Sequence, residues 1–273
     1  MASQIIPALN DWHVSRGYTM LSSVDVAAIM WEWLRRDPAY VDWCAGMKEA
    51  EIIANKGIIV IRQPAAALCN KWGLLFGEAP EIDGAHARLM WSAGVDPFVL
   101  KVEARCTGAG FDLERVAQFV TVVIDEQSHE HIVLSNGKQR IRIDVEDGTM
   151  LKGPVSLKII CHTPMDAPTA MSTLSRASLL WRLGRMPNIE RKADQKMQRL
   201  IAALRVYDAL ASGASRQNIA RALFGDERVA KEWNDTSDAM RSTVKRLVRL
   251  SQHLAAGGYR DLMQVRPTHS KNE

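Results

Sequence analysis

Ser215 to Tyr259 reads SRQNIARALFGDERVAKEWNDTSDAMRSTVKRLVRLSQHLAAGGY, and this stretch decides how the C-terminal part of the chain folds. Ser215 follows Gly213, a residue suited to closing a preceding helix, and its hydroxyl can accept from a first-turn amide of a new one. Ile219, Ala220, Leu223 and Phe224 then recur at helical spacing until Gly225 ends the segment. A second helix is expected to begin at Thr236 or Ser237 and to run over 237-256. Met240, Val244, Leu247, Val248, Ser251 and Leu254 recur on one face of it, and Gly257-Gly258 supply a left-handed stop. Two helices in this order read as a helix-turn-helix. The turn of such a motif holds about three or four residues, whereas Gly225 to Thr236 is longer. Val229 and Trp233 in that link read as a strap packed over both helices, so the motif is a variant.

The expected core face leaves the opposite face of the second helix basic. Arg241, Lys245 and Arg249 are four apart and form a stripe, flanked by Ser242 and Arg246. Four cations on one face repel one another unless a polyanion sits opposite. A solvated basic face is the alternative, and the Ser-x-x-x-Ile-Ala-x-x-Leu pattern of the preceding helix favours double-stranded DNA over it. Arg241 and Lys245, nearest the N-terminal end, are the expected readers of base edges. Arg246 and Arg249 are the expected phosphate contacts, joined by Ser215, Arg216 and Gln217 through the amides at the start of the first helix.

Charge distribution agrees. The 273 residues carry a net charge of +4, which hides an asymmetry. From Arg176 onward there are 19 Lys and Arg against 10 Asp and Glu, a surplus of 9 positive charges; before it there are 16 against 21, a surplus of 5 negative ones. A basic back and an acidic front are expected when only one part of a chain meets phosphate. The length and the 47% hydrophobic content suffice for a sizeable core in two domains. No run of some 18 apolar residues exists and the N-terminus lacks a signal-peptide profile, so a cytoplasmic protein with no membrane contact is expected.

Periodicity changes twice along the chain. Ser22 or Ser23 is expected to cap a helix through Trp31, Trp33 and Leu34, broken by Asp37-Pro38, with Pro38 opening a second helix that reaches about Asn55. From Ile58 to His162 the period becomes two, in IIVIRQ, HARLMW, PFVLKVEA, VAQFVTVVID, HIVLSNGKQRIRID and VSLKIICH. Asn136-Gly137 between two such runs predicts a type I′ hairpin turn. Beyond Pro164 the chain is helical again, through MSTLSRASLLWRLGR and ADQKMQRLIAALRVYDALAS. The expected fold is α+β: N-terminal helices, a central mostly antiparallel β region and a C-terminal all-helical variant helix-turn-helix domain. The expected division is 1-163 for assembly or regulation, 164-266 for DNA binding, and 267-273 as a flexible tail.

Other chemistries are weakly supported. Cys44, Cys69, Cys106 and Cys161 show no metal spacing and read as four buried free thiols, and Cys161-His162 reads as a core thiol beside a surface imidazole. His129 and His131 alternate on a strand and offer two metal ligands without an evident third. No nucleotide-binding or hydrolase motif occurs, so neither an enzyme nor a cofactor is expected. Trp31, Trp33, Trp43, Trp72 and Trp91 read as core and inter-subunit packing more readily than as a platform for single-stranded bases, because they lie in the acidic half. Arg35-Arg36 face either a partner carboxylate or solvent.

The ALFG, Trp233, RSTVKRLVRL and GGYRDLM segments together resemble the DNA-binding domain of the RovC-type bacterial transcription factors. WEWLRRDPAY, from Trp31 to Tyr40, resembles the segment that often opens the same proteins, and the middle matches loosely through KWGL near Trp72 and ARLMW near Trp91. That resemblance implies an activator of a type VI secretion or integrative-conjugative-element operon, with RNA polymerase or an antiactivator as further partners. The group's C-terminal fold also occurs in small antiactivators that bind protein, which keeps that alternative open. One helix-turn-helix has too small a footprint for high specificity, so a homo-oligomer on repeated half-sites is expected.

Overall fold

A computed structural model describes residues 11–47, 50–62, 69–187, 194–233 and 238–264. Thr236, Ser237, Asn188 and the 267-273 tail lie outside them. The described chain forms two packing units that interleave in sequence. A helical unit takes residues 11–45, 79–85 and 194–259, and a sheet unit takes most of the rest. The expected 163/164 boundary therefore falls inside the sheet unit, while helices from both ends of the chain share the other.

The sheet unit holds β1 (Glu51–Asn55), β2 (Ile58–Arg62), β3 (Leu100–Phe111), β4 (Val120–Ile124), β5 (Glu130–Ser135), β6 (Arg140–Gly148) and β7 (Val155–Ile160). They form one seven-stranded sheet in the order β1-β2-β4-β5-β6-β3-β7. The β2·β4 and β3·β6 pairs are parallel and the others antiparallel, so the sheet is mostly antiparallel and the fold is α+β. Alternation decides which face each residue serves. Ile141, Ile143 and Val145 of β6 join a core covered by Ala170, Ala177 and Leu180 of α4 (Ala167–Leu183). Ile61, Val123 and Val133 point the other way, onto Phe76 and Met90. Gly148, at φ +85, ends β6 where a Cβ would collide with the Ala104 carbonyl, so its lack of a side chain is a condition of the β3·β6 pairing.

Several local expectations give way to tertiary context. The helix opening at Pro38 stops at Ala45 as α3 (Pro38–Ala45), and Glu51–Asn55 is instead an exposed edge strand because its backbone finds β2, from Glu51↔Arg62 to Asn55↔Ile58. HARLMW forms no strand; its one ladder contact is the Leu74↔Trp91 bridge. The Asn136-Gly137 loop is not type I′. Only Gly137 has positive φ, Asn136 accepts from Lys138 and Gln139 amides at 3.1 and 2.9 Å, and four residues separate the paired Ser135 and Arg140. Of the cysteines only Cys69 is buried, Cys44 is intermediate, and Cys106 and Cys161 are exposed. Cys106 lies in the half of β3 where the chain opens to solvent, and Cys161 sits just past the end of β7.

The helical unit contains α1 (Ser15–Met20), α2 (Val26–Leu34) and α3 from the front of the chain, and α5 (Gln195–Ala211), α6 (Arg216–Phe224), α7 (Asp226–Glu232) and α8 (Ala239–Ala255) from the back. α2 is capped by Asp25, which accepts from the Ala28 amide at 3.0 Å, and not by Ser22 or Ser23. Those two hydroxyls donate instead to the Thr19 and Met20 carbonyls, closing the turn before it. Trp31 and Trp33 are buried, which rules them out as an exposed base-stacking platform.

A buried ionic network ties α2 to α5. Arg36 donates to both Asp208 oxygens, at 2.8 and 3.0 Å, and to Glu32 at 2.6 Å. Arg35 also meets Glu32, at 3.0 Å, and Glu32 accepts from the Gly84 amide at 2.8 Å. Tyr18 donates to Asp208 at 2.6 Å. Burial opposes charge on Arg36, but Asp208 and Glu32 together outweigh it and hold the guanidinium's pKa above its ordinary value. Burial and the Asp208 charge raise Tyr18 in turn, so the phenol stays a donor. Arg35 and Arg36 thus face carboxylates of their own chain.

Candidate nucleic-acid interface

α8 spans 17 residues, as α5 does, and its sequence sorts cleanly into two faces. Met240, Val244, Leu247, Val248, Ser251 and Leu254 are its buried residues, the six expected from the sequence. Arg241, Ser242, Lys245, Arg246 and Arg249 are all exposed. At about 100° per residue those five fall within an arc of about 140°, centred opposite the buried face. Packing on α5 and α6 thus fixes the rotation of α8 and presents the basic residues outward.

The link before α8 differs from expectation. Asp226–Glu232 is a helix, α7, where a strap was expected, and only Gly225 separates it from α6. Gly225 takes φ 88, ψ 151, a conformation open to glycine, which lets one helix end and the next begin at a single residue. Asp226 and Glu227 favour the start of α7 through its dipole, and Arg228 pairs with Glu232 one turn on at 3.0 Å. Val229 is buried as expected. The capping expected from Thr236 or Ser237 lies outside the described residues; Asp238 is the N-cap residue of α8, with no capping bond from its side chain.

Electrostatics distinguishes the cations. Arg241, in the first turn of α8, stands where the helix dipole disfavours positive charge, and it is paired with Asp238. Asp238 is 72% exposed, and so open a pair is worth at most about 1 kcal/mol and can be exchanged for another anion. Arg246 donates to Thr243 at 3.1 Å. Lys245 and Arg249 have no hydrogen bond or ion pair with any described residue. At the start of α6, Ser215 accepts from the Asn218 amide at 3.2 Å, as the sequence predicts, which leaves the amides of exposed Arg216 and half-buried Gln217 open to solvent or an anion. The site residues therefore fall in two groups, one along α8 and one at the head of α6. No hydrogen bond joins the groups among the described residues.

Two further cations were missed in the sequence. Lys196 and Arg199 are exposed near the start of α5. Arg199, Thr243, Arg246 and Leu247 line a cleft of about 300 Å³ between α5 and α8. The available signal was a pair of cations three apart on the polar side of ADQKMQRLIAALRVYDALAS.

The histidines resolve differently. His131 Nδ1 lies 2.9 Å from Asp144 and its Nε2 3.4 Å from Asp125, while His129 Nδ1 is 3.3 Å from Asp125. Burial pushes the Asp144 carboxyl up, but Arg142 and His131 outweigh it and hold the pKa below the usual carboxylate range. Both rings are thus taken up by carboxylates, and no group of three or more His, Cys, Asp or Glu among the described residues is placed to hold a metal ion. No helix among them is long and apolar enough to cross a membrane.

Comparison with known families fits the two ends of this arrangement. Residues 163–264 match the RovC DNA-binding domain, described as a DNA-binding domain of a type VI secretion (T6SS) transcription factor. Residues 11–77 match a proteobacterial transcriptional regulator-like domain. No curated protein matches the chain. The first match contains α5 to α8 with every candidate DNA contact, and the second contains the α2 segment bearing Glu32, Arg35 and Arg36. Together the two matches support a transcription regulator of the RovC type, with the DNA-binding match over residues 163–264.

Proposed function

We propose that the protein binds specific double-stranded DNA through the exposed face of α8 and, in the cytoplasm, activates a bacterial secretion or mobile-element operon. The observation that carries this reading is the segregation on α8: its six buried residues leave four cations together on the opposite face, two of them without any partner among the described residues. Arg241 and Lys245 enter the major groove and read base edges, with Arg241 exchanging Asp238 for DNA. Arg246, Arg249 and Ser242 hold the backbone, and Ser215, Arg216 and Gln217 add the amides at the head of α6. The protein acts as a homo-oligomer on repeated half-sites, which extends the footprint beyond one helix. Exposed Ile52 and Ile53 on the edge strand β1 support the sheet unit as the place where copies meet. RNA polymerase is the partner expected of an activator. A protein-binding antiactivator would set the same cations against an acidic protein surface, and would leave DNA unshifted.

The test separates reading from gripping, using DNA upstream of the chain's own gene and its neighbours in electrophoretic mobility shift. Arg241→Ala is expected to cost roughly 1–3 kcal/mol on the specific site and little on random DNA, whereas Arg249→Ala weakens both about equally. Equal losses on both DNAs for Arg241→Ala would reduce it to a phosphate contact.

A further inference from the structure

We propose that the cleft between α5 and α8 is a seat for a phosphate group, gripped by Arg199 from one helix and Arg246 from the other. This rests on the DNA-binding reading of α8 and adds a residue outside that helix to it.

The cleft has about 300 Å³ of space, and among the described residues it is lined by Arg199, Thr243, Arg246 and Leu247, none of them acidic. Arg199 has no hydrogen bond or ion pair with any described residue. Among the described residues Arg246 has only the Thr243 hydroxyl, at 3.1 Å, as a partner. Two guanidinium groups lining one small cleft repel each other until an anion lies between them. Each offers a planar fork of donors that matches phosphate oxygens, while the Thr243 hydroxyl donates to the Ala239 carbonyl and accepts from Arg246. A simple solvated charge would need no such convergence from two helices.

Position ties the cleft to the basic face. Arg246 is at the margin of the exposed arc of α8, on the side toward α5, so it borders both the stripe of Arg241, Lys245 and Arg249 and the cleft. A duplex laid along the stripe would bring a backbone phosphate to that margin. Lys196, three residues before Arg199 and also exposed, extends the positive surface along α5. Buried Leu200, Ala203 and Leu204 anchor α5, so Arg199 is carried on a fixed helix and not on a loop.

A phosphate could come from the DNA backbone or from free phosphate in solution, and full-length protein distinguishes the two. In the first arm, DNA affinity is measured against salt for wild type, Arg199→Gln and Arg199→Lys. If the seat takes a DNA phosphate, Arg199→Gln binds specific and random DNA alike about fivefold more weakly at 0.15 M salt. Its log-log salt slope is shallower by about one, and Arg199→Lys restores the slope. In the second arm, inorganic phosphate is added at constant ionic strength against chloride. If the seat takes free phosphate, phosphate raises the thermal midpoint of wild type and not of Arg199→Gln, while the DNA slopes of the two proteins agree. Either pattern supports the seat and names its source. Identical slopes together with identical midpoints in phosphate and chloride would overturn it. A wild-type slope near −1 would instead count against the DNA reading of α8 and leave the cleft to the phosphate arm alone.

Discussion

Asp208→Ala is expected to destabilise the helical unit by about 3–5 kcal/mol, the loss usual when one partner of a buried ion pair is removed. The carboxylate is 7% exposed and accepts from Arg36 at both oxygens and from Tyr18. Removing it leaves Arg36, 5% exposed, with Glu32 alone, and leaves the buried Tyr18 hydroxyl without its acceptor. Arg36→Ala should be comparably damaging, because Asp208 then loses its cation. Changing Arg36 and Asp208 together to apolar residues of similar volume should cost less than the two single losses combined, since the lost interaction is counted once. Denaturant unfolding of the three proteins measures this; a single-variant loss below about 1 kcal/mol would mean that solvent reaches the pair. The consequence extends to function. Arg36 lies in the regulator-like match and Asp208 in the DNA-binding match, so the front of the chain supports the helices that carry the proposed DNA contacts.

Charge reversal on α8 should have the largest effect on binding. Each phosphate neutralised contributes about 0.7 log units to affinity at 0.15 M salt relative to 1 M, so losing two contacts costs roughly 30-fold, and placing carboxylates there adds repulsion. Lys245→Glu with Arg249→Glu is therefore expected to weaken binding to specific and random DNA by about 30-fold or more. Neither side chain has a structural partner among the described residues, so the unfolding midpoint should stay close to that of wild type. Retained affinity would show that DNA approaches another face.

The sequence made α8 legible because one helix carries both signals. Its apolar residues repeat on one side over 17 residues, and two glycines follow its end. The α4 and α5 helices were legible for the same reason. What local reading missed depends on partners remote in sequence. Asp208 lies 172 residues from Arg36, so nothing near Arg35-Arg36 announces a buried carboxylate. Glu51–Asn55 became a strand because β2 was available to pair with it, a fact absent from five residues of local pattern. Asp226–Glu232 was hidden as a helix because it is one short segment between a glycine and a polar run, with a single buried residue, Val229, to mark its inner face. Arg199 was passed over because its meaning comes from Arg246 on another helix, which only packing brings to the same cleft.

The most direct test of the basic face is the salt dependence of DNA affinity for the full-length protein. With four to six phosphates neutralised per protomer, log K should fall against log salt with a slope of roughly −4 to −5. A slope near −1 would contradict a polyanion-binding role for Arg241, Lys245, Arg246 and Arg249.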